Sequence, residues 1–311
     1  MALSLVMIVI GAGVLLKGAD LLVDGGVGIA LRSGVSHLVV GLTVVAFGTS
    51  APELTASLVA ALKGSGDICF GNVVGSNVAN VALILGITAL MLPVKVNRLL
   101  LRWELPFMIG VSALTCFIGY SGHAGRLAGL ILLSLFGWYM AHCMKSPAVE
   151  VDMDDEKARK SYRILIAMVA IGVGGLVLGG KLFVDGAQNI ARQIGVSEAV
   201  IGLTVVALGT SLPELATSAV AAYKGQSDIS IGNIIGSNIF NILFVLGATA
   251  TLLPFSITAD RFLFLAGLPF MMGLSVLVWP FSSTGSIISR VEGGILCAIY
   301  IAYTALAVVL R

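Results

Sequence analysis

Charge is scarce in this chain. Only 11% of its 311 residues are Asp, Glu, Lys or Arg, against 58% hydrophobic, and the mean hydropathy is +1.05. A soluble domain carries about 25% charged residues, so a water-exposed globule is excluded and most of the chain is expected inside a bilayer. Basic tracts and aromatic–basic interleaving are missing as well, which removes nucleic-acid binding. The net charge of +2 says little else about partners. Cysteine is rare: Cys69, Cys116, Cys143 and Cys297 form no CxxC pair and all fall in or beside apolar runs. Buried free thiols are expected, not disulfides or metal ligands. The first apolar stretch has no basic leader and outruns a signal-peptide core, so it reads as a retained span.

What the chain has in abundance is apolar runs long enough to cross a membrane, which takes roughly 20 residues each. Ten such windows lie near residues 3–30, 37–62, 68–92, 99–119, 126–143, 163–190, 197–223, 229–253, 260–280 and 290–310. The expected fold is an all-α membrane protein of ten transmembrane helices. With the N-terminus outside, the cytoplasmic connections hold 11 Lys and Arg and the outer ones 5. That bias places both termini on the outer side of the cell membrane.

The chain also repeats itself. "GVSHLVVGLTVVAFGTSAPEL" from Gly34 returns as "GVSEAVIGLTVVALGTSLPEL" from Gly195, and "GNVVGSNVANVALILG" from Gly71 as "GNIIGSNIFNILFVLG" from Gly232. The offset is 161 throughout, and Gly34–Gly86 matches Gly195–Gly247 at 32 of 53 positions. A fixed register of that kind marks an internal duplication. Five spans per copy is an odd number, so the second copy enters the membrane the other way up. The expectation is two inverted five-helix repeats, residues 1–143 and 163–311, joined by a charged cytoplasmic linker over 144–162. Inverted repeats are a known build of secondary transporters, with the substrate near the midplane. The linker's Asp152, Asp154, Asp155 and Glu156 lack EF-hand spacing and read as a solvated connection.

The duplicated motifs carry the chemistry. Glu53 and Glu214 lie at lipid depth, where a charge costs about 2.5–3.5 kcal/mol on insertion scales and usually marks an ion or proton path. Pro52 and Pro213 have no N–H and free carbonyls around Gly48 and Thr49, and around Gly209 and Thr210. Ser50 and Ser211, three residues before each glutamate, share its helix face. In the following span Asn72, Ser76 and Asn80 fall at i, i+4, i+8, as do Asn233, Ser237 and Asn241. Asn72 and Asn233 read as helix-to-helix ties, and the deeper Ser76, Asn80, Ser237 and Asn241 as ligands. Only oxygen donors recur; none of His37, His123 and His142 lies in a duplicated motif. Soft or borderline metals would recruit nitrogen or sulfur. Two carboxylates with neutral oxygens suit a hard cation, most naturally Ca²⁺, and the same charges could be balanced by Na⁺ or by protons.

"GTSAPEL" and "GTSLPEL", each followed by a "GNxxGSNxxN" segment, resemble the α-repeats of the Ca²⁺/cation antiporter superfamily, in particular its sodium/calcium exchangers. The resemblance implies a secondary-active antiporter exchanging Ca²⁺ for Na⁺ by alternating access. It implies Glu53 and Glu214 as central ligands to both ions, and backbone carbonyls of Thr49 and Thr210 on Ca²⁺. Ser50, Ser211, Ser76 and Ser237 would serve Na⁺ with the carbonyls of Ala46 and Ala207. Asn80 and Asn241 would complete the centre. Potassium-dependent members carry Asp at the position of Asn241, which argues against K⁺ coupling. Ser50 and Ser211 replace a G-N-x-x-E-like signature of proton-coupled relatives and favour sodium. No cofactor is implied, only transported ions, and no partner beyond the bilayer.

Three other readings stand beside this one. H⁺ in place of Na⁺ would make a proton-coupled exchanger. A cation channel usually gathers its pathway around an oligomer axis, whereas this chain pairs two motifs within itself. "GSGD" at Gly64–Asp67 superficially fits an intramembrane aspartyl protease, but no YD partner and no HExxH occur, so no enzyme is expected. Asp67 and Asp228 read as helix N-caps, and Asp24 and Asp185 as capping or inter-helix pairing residues. Lys17 and Lys181 do not correspond under the offset and read as snorkelling or locally paired.

Overall fold

Caps and prolines, more than hydropathy, decide where the helices begin and end. α1 (Ala2–Ser33) stops at Gly34, whose left-handed φ of 68° only a glycine adopts without strain, with its N–H on the Ala30 carbonyl. The chain re-enters as α2 (His37–Thr49) under a Ser36 side-chain cap on the Val39 N–H. Pro52 then sets the start of α3 (Ala51–Leu62), and the two helices meet at 45°. The computed structural model describes residues 1–145, 160–195, 207–258 and 261–309. Its further helices are α4 (Gly66–Met91), α5 (Leu100–Tyr120), α6 (Arg126–Cys143), α7 (Tyr162–Gln193), α8 (Ala207–Thr210), α9 (Leu212–Tyr223), α10 (Ser227–Leu252), α11 (Leu263–Ser283) and α12 (Arg290–Val309).

Among the described residues eight helices are long and apolar enough to cross a membrane, and the bent α2–α3 pair makes a ninth. The expected seventh span, 197–223, falls partly on 196–206, which lie outside the described residues, as do the linker residues Asp152, Asp154, Asp155 and Glu156. α4 and α10 form the centre: their most apolar windows are 78% and 94% buried, against 28% for α1 and α7. Leu3, Val9, Phe117, Leu127 and Val291 point outward, as lipid-facing side chains do. Two short antiparallel pairs tie the halves together at their ends. Val94 and Lys95 pair with Ile288 and Ile287, and His123 and Ala124 with Ser256 and Phe255.

α1 and α7 run antiparallel along a seam of glycines. Gly11, Gly18 and Gly25 recur every seven residues, as do Gly172, Gly179 and Gly186, and each lies against the opposite helix. A Cβ on Gly11 would stand 2.6 Å from the Phe183 nitrogen, and one on Gly179 2.6 Å from the Leu15 nitrogen. Small residues let backbones come this close in a membrane, where packing and not hydrophobic exclusion drives association.

The capping expectation for Asp67 and Asp228 is corrected. α4 begins at Gly66 after Ser65 and α10 at Ser227 after Gln226, each without a side-chain cap. Asp67 therefore sits inside the first turn, where its carboxylate is free to leave the helix. It accepts from the Thr258 N–H at 2.7 Å and from the Thr258 hydroxyl, pinning a connection of the other half.

Candidate functional site

The site starts from two broken helices. Pro52 offers no N–H to the Gly48 carbonyl and its ring crowds the turn before it, so α2 ends and Ser50 takes φ −85°, ψ 9°. α3 restarts at once with Glu53 in its first turn, and Ser211 (φ −89°, ψ 2°), Pro213 and Glu214 repeat the arrangement at the start of α9. Each carboxylate thus sits at a helix N-terminus, where free N–H groups and the helix dipole favour negative charge. The central helices widen where they face these breaks. α4 makes a π-helical turn over Ala79–Leu85 and α10 over Asn241–Leu246. Asn80 and Asn241 stand at their starts, a placement typical of π turns at working sites.

Hydrogen bonds across the halves draw these pieces together. The Ser50 hydroxyl donates to Glu214 Oε1 at 3.0 Å. The Thr49 hydroxyl donates to Asn233 Oδ1 at 3.1 Å and lies 3.4 Å from the Ser237 hydroxyl. Asn72 gives its amide to the Glu53 carbonyl at 3.1 Å and to Ser57 Oγ at 2.9 Å; Asn233 does the same to Glu214 at 3.3 Å and Ser218 at 2.9 Å. Asn72 and Asn233 are thus the helix ties the sequence suggests. Each fixes the backbone of a glutamate.

Six oxygens in this region are buried and meet no donor among the described residues: Glu53 Oε1 and Oε2, Glu214 Oε2, Asn80 Oδ1, Asn241 Oδ1 and Ser211 Oγ. Their residues are at most 2% exposed, and neither carboxylate has an ion-pair partner among the described residues. An orphaned buried acceptor costs about 1–3 kcal/mol and more when charged, and an uncompensated buried charge several. Six such oxygens, three of them on two carboxyl groups, call for a cation or protons. Among the described residues no three His, Cys, Asp or Glu gather as a metal cluster, so the donor set is two carboxylates plus neutral oxygens. That is the chemistry of a hard cation.

Of the other expected residues, Ser76 is buried and faces Glu53 without closing an ordinary hydrogen bond. The Ala46 carbonyl accepts from the Ser50 N–H at 3.0 Å and the Thr49 hydroxyl at 3.3 Å. Thr210 is half-buried at the end of α8, which opens with Ala207. Sequence reasoning missed Asn77 and Asn238, which bond to Asn241 and Asn80, and Ser57 and Ser218. All four recur at the 161 offset, a signal that could have found them.

Known proteins share this build. A family model described as sodium/calcium exchanger protein matches residues 3–145 and again 164–309. The sodium/calcium exchanger MaX1 of Methanosarcina acetivorans is 32% identical over 96% of this chain and 97% of its own. The inner membrane protein YrbG of Escherichia coli is 36% identical over 82% and 81%. A solved structure of the sodium-calcium exchanger NCX_Mj soaked with Na⁺ and Sr²⁺ superposes with a TM-score of 0.85, at 32% identity and 98% coverage of both chains. With both halves matched by one model, the chain belongs to the sodium/calcium exchanger family, a family of membrane antiporters and not of enzymes.

Proposed function

We propose that this chain exchanges Ca²⁺ for Na⁺ across the cell membrane by alternating access, at a midplane site built by two inverted five-helix repeats with both termini outside. The observation that carries the reading is the set of six buried oxygens, shared between the halves, that meet no donor among the described residues. Glu53 and Glu214 supply the charge; Asn80, Asn241, Ser211 and the serines and carbonyls around Thr49 and Thr210 supply the neutral ligands. The Ala46 carbonyl joins a bound Na⁺ only once the Thr49 hydroxyl turns away from it. A donor set unstable without positive charge, yet able to take one divalent or several monovalent ions, couples the release of one load to the binding of the other.

Reconstituted into liposomes, the protein is expected to take up ⁴⁵Ca²⁺ when a Na⁺ gradient is imposed and to ignore K⁺ and pH gradients imposed separately. Uptake driven by the pH gradient alone would make it proton-coupled. Flux without any counter-cation gradient would make it a channel.

A second observation bears on alternating access. Lys224, just past α9, binds Asp24 of α1 at 2.9 Å and also Asp20. Its repeat counterpart Lys63 and the counterpart of Asp24, Asp185, form no ion pair among the described residues. Inverted repeats exchange roles between states, so in the opposite-facing state Lys63 takes Asp185 as its one carboxylate partner, with Lys181 standing where the first half has Asp20, and Lys224 is released. A partly exposed pair is worth about 0.2–1 kcal/mol. Lys224→Ala is therefore expected to raise the opposite-facing population up to about fivefold, read as a change in distance distribution between spin labels on α1 and α9. An unchanged distribution refutes the latch.

A further inference from the structure

Each proposed asparagine ligand is gripped by an asparagine of the other half. Asn80 Nδ2 donates to Asn238 Oδ1 at 3.1 Å, and Asn241 Nδ2 to Asn77 Oδ1 at 3.5 Å. Behind each gripping residue stands a methionine: Asn238 Nδ2 lies 3.6 Å from Met108 Sδ and Asn77 Nδ2 3.9 Å from Met271 Sδ. All four asparagines are at most 2% exposed. From these two mirrored chains, and resting on the cation site proposed above, we infer that Asn77 and Asn238 are positioning residues that lock the amides of Asn241 and Asn80 with their carbonyl oxygens toward the ion.

The chemistry of the ends sets the direction. A side-chain amide has one donor end and one acceptor end of nearly equal shape, so its orientation is decided by what it faces. A thioether accepts weakly and has no hydrogen to give. Met108 and Met271 therefore turn the NH₂ ends of Asn238 and Asn77 toward themselves, and the carbonyl ends toward Asn80 and Asn241. Those carbonyls in turn demand NH₂ groups. The oxygens of Asn80 and Asn241 are left pointing elsewhere, and they are two of the six without a donor. The pattern thus runs from an acceptor-only sulfur through two amides to a carbonyl dipole aimed at a cation. It occurs twice, with Met108, Asn238 and Asn80 in one chain and Met271, Asn77 and Asn241 in the other.

Asn238→Leu keeps the bulk and removes the acceptor that holds Asn80. Its amide is then free to turn an NH₂ toward the ion. Polar contacts to charged groups are among the stronger ones. The expected loss of Ca²⁺ affinity is therefore ~30-fold, measured by calorimetry on the purified full-length chain. A reversed dipole penalises a divalent ion about twice as much as a monovalent one, because the energy scales with charge. Na⁺ affinity, from competition, is therefore expected to fall only about fivefold. A residue that merely fills space would lower folded yield without this split. The decisive comparison is Asn238→Leu placed on Asn80→Ala, where no amide remains to orient, so no further loss is expected. An equal additional loss on that background overturns the inference.

Where Asn238→Leu does not fold, Met108→Leu conserves volume and removes only the acceptor that orients Asn238. It is expected to weaken Ca²⁺ binding a few-fold in the wild-type chain and not at all on Asn80→Ala. No loss in either, or the same loss in both, refutes the chain of orientation. Glu53→Gln in the same assay separates the two levels. Ca²⁺ binding that survives it removes the site itself. Binding lost there, with additive Asn238 and Asn80 effects, removes only the positioning role.

Discussion

Glu53→Gln and Glu214→Gln are each expected to abolish Na⁺-driven Ca²⁺ uptake in liposomes while leaving a folded protein. Glutamine keeps the shape of glutamate and removes one charge from a site that has two. A Ca²⁺ ion would then carry an unbalanced positive charge in a buried setting, at a cost of several kcal/mol. Each 1.4 kcal/mol is tenfold in affinity, so a loss of ~1,000-fold or more is expected. The fold does not need these charges. Both Glu53 oxygens and Glu214 Oε2 meet no donor among the described residues, so no folded-state hydrogen bond to them is lost. In the Glu214→Gln variant Ser50 can still donate to the side-chain carbonyl, as it now does to Glu214 Oε1. Each variant is thus expected to melt no lower than the parent in Ca²⁺-free buffer. The rise in melting temperature that Ca²⁺ gives the parent, through preferential binding to the folded state, should vanish. Parent-like uptake by both variants would show that Glu53 and Glu214 are not the ion ligands.

Much of this site could be read in advance because burying polar groups in lipid is costly. A duplicated carboxylate, proline and asparagine stripe has no cheap structural explanation there, and an offset of 161 gives each proposed ligand its twin. The recurrence of Asn77 and Asn238 at that offset was readable, but what each would bond to was not. Asn77 and Asn238 do not fall on the i, i+4, i+8 stripe of Asn72 and Asn233, and their importance arises only when α4 packs against α10. Asp67 looked like a cap because a helix starts beside it. Its actual partner, Thr258, is 191 residues away. A single span over 37–62 proved to be two helices at 45°, since a proline two residues into α3 ends one helix and starts the next. Hydropathy counts spans but does not see such breaks. Nor does it see how closely two spans approach, and for α1 and α7 that distance decides whether the chain holds together.

On α1, Gly18→Leu and Gly13→Leu are expected to behave oppositely, although they add the same side chain to the same helix. A Cβ at Gly18 would meet the Gly172 oxygen and the Leu176 nitrogen, each at 2.8 Å. These are backbone atoms of α7 and have no rotamer by which to move aside. The helices must separate, and because the seam repeats every seven residues the separation propagates to the contacts at Gly11 and Gly25. Overpacking costs about 1–3 kcal/mol at an adaptable site; against rigid backbone on both sides the upper end or beyond is expected. At Gly13 nothing lies within 4 Å of the added atom, and a leucine facing lipid gains up to about 1 kcal/mol in helix propensity. Thermal unfolding in detergent should therefore place Gly18→Leu well below the parent and Gly13→Leu at or above it. Equal melting temperatures would mean that the glycines do not set the spacing. The seam has a functional side as well. α1 and α7 present glycine, not interlocking knobs, to each other, and most of the most apolar window of each lies outside the buried core. α1 packs on α2, α9 and the start of α10 through a buried apolar cluster that includes Leu22, Val23, Val27, Val40, Ala221 and Ile229, and through the Lys224 bridge to Asp20 and Asp24. Alternating access in the proposed mechanism needs a pair that is stiff along its own seam and moves as one body against the helices that carry the ion. A variant that widens the seam should lose transport in parallel with stability, whereas the Lys224 variant should shift the state and leave the melting temperature close to that of the parent.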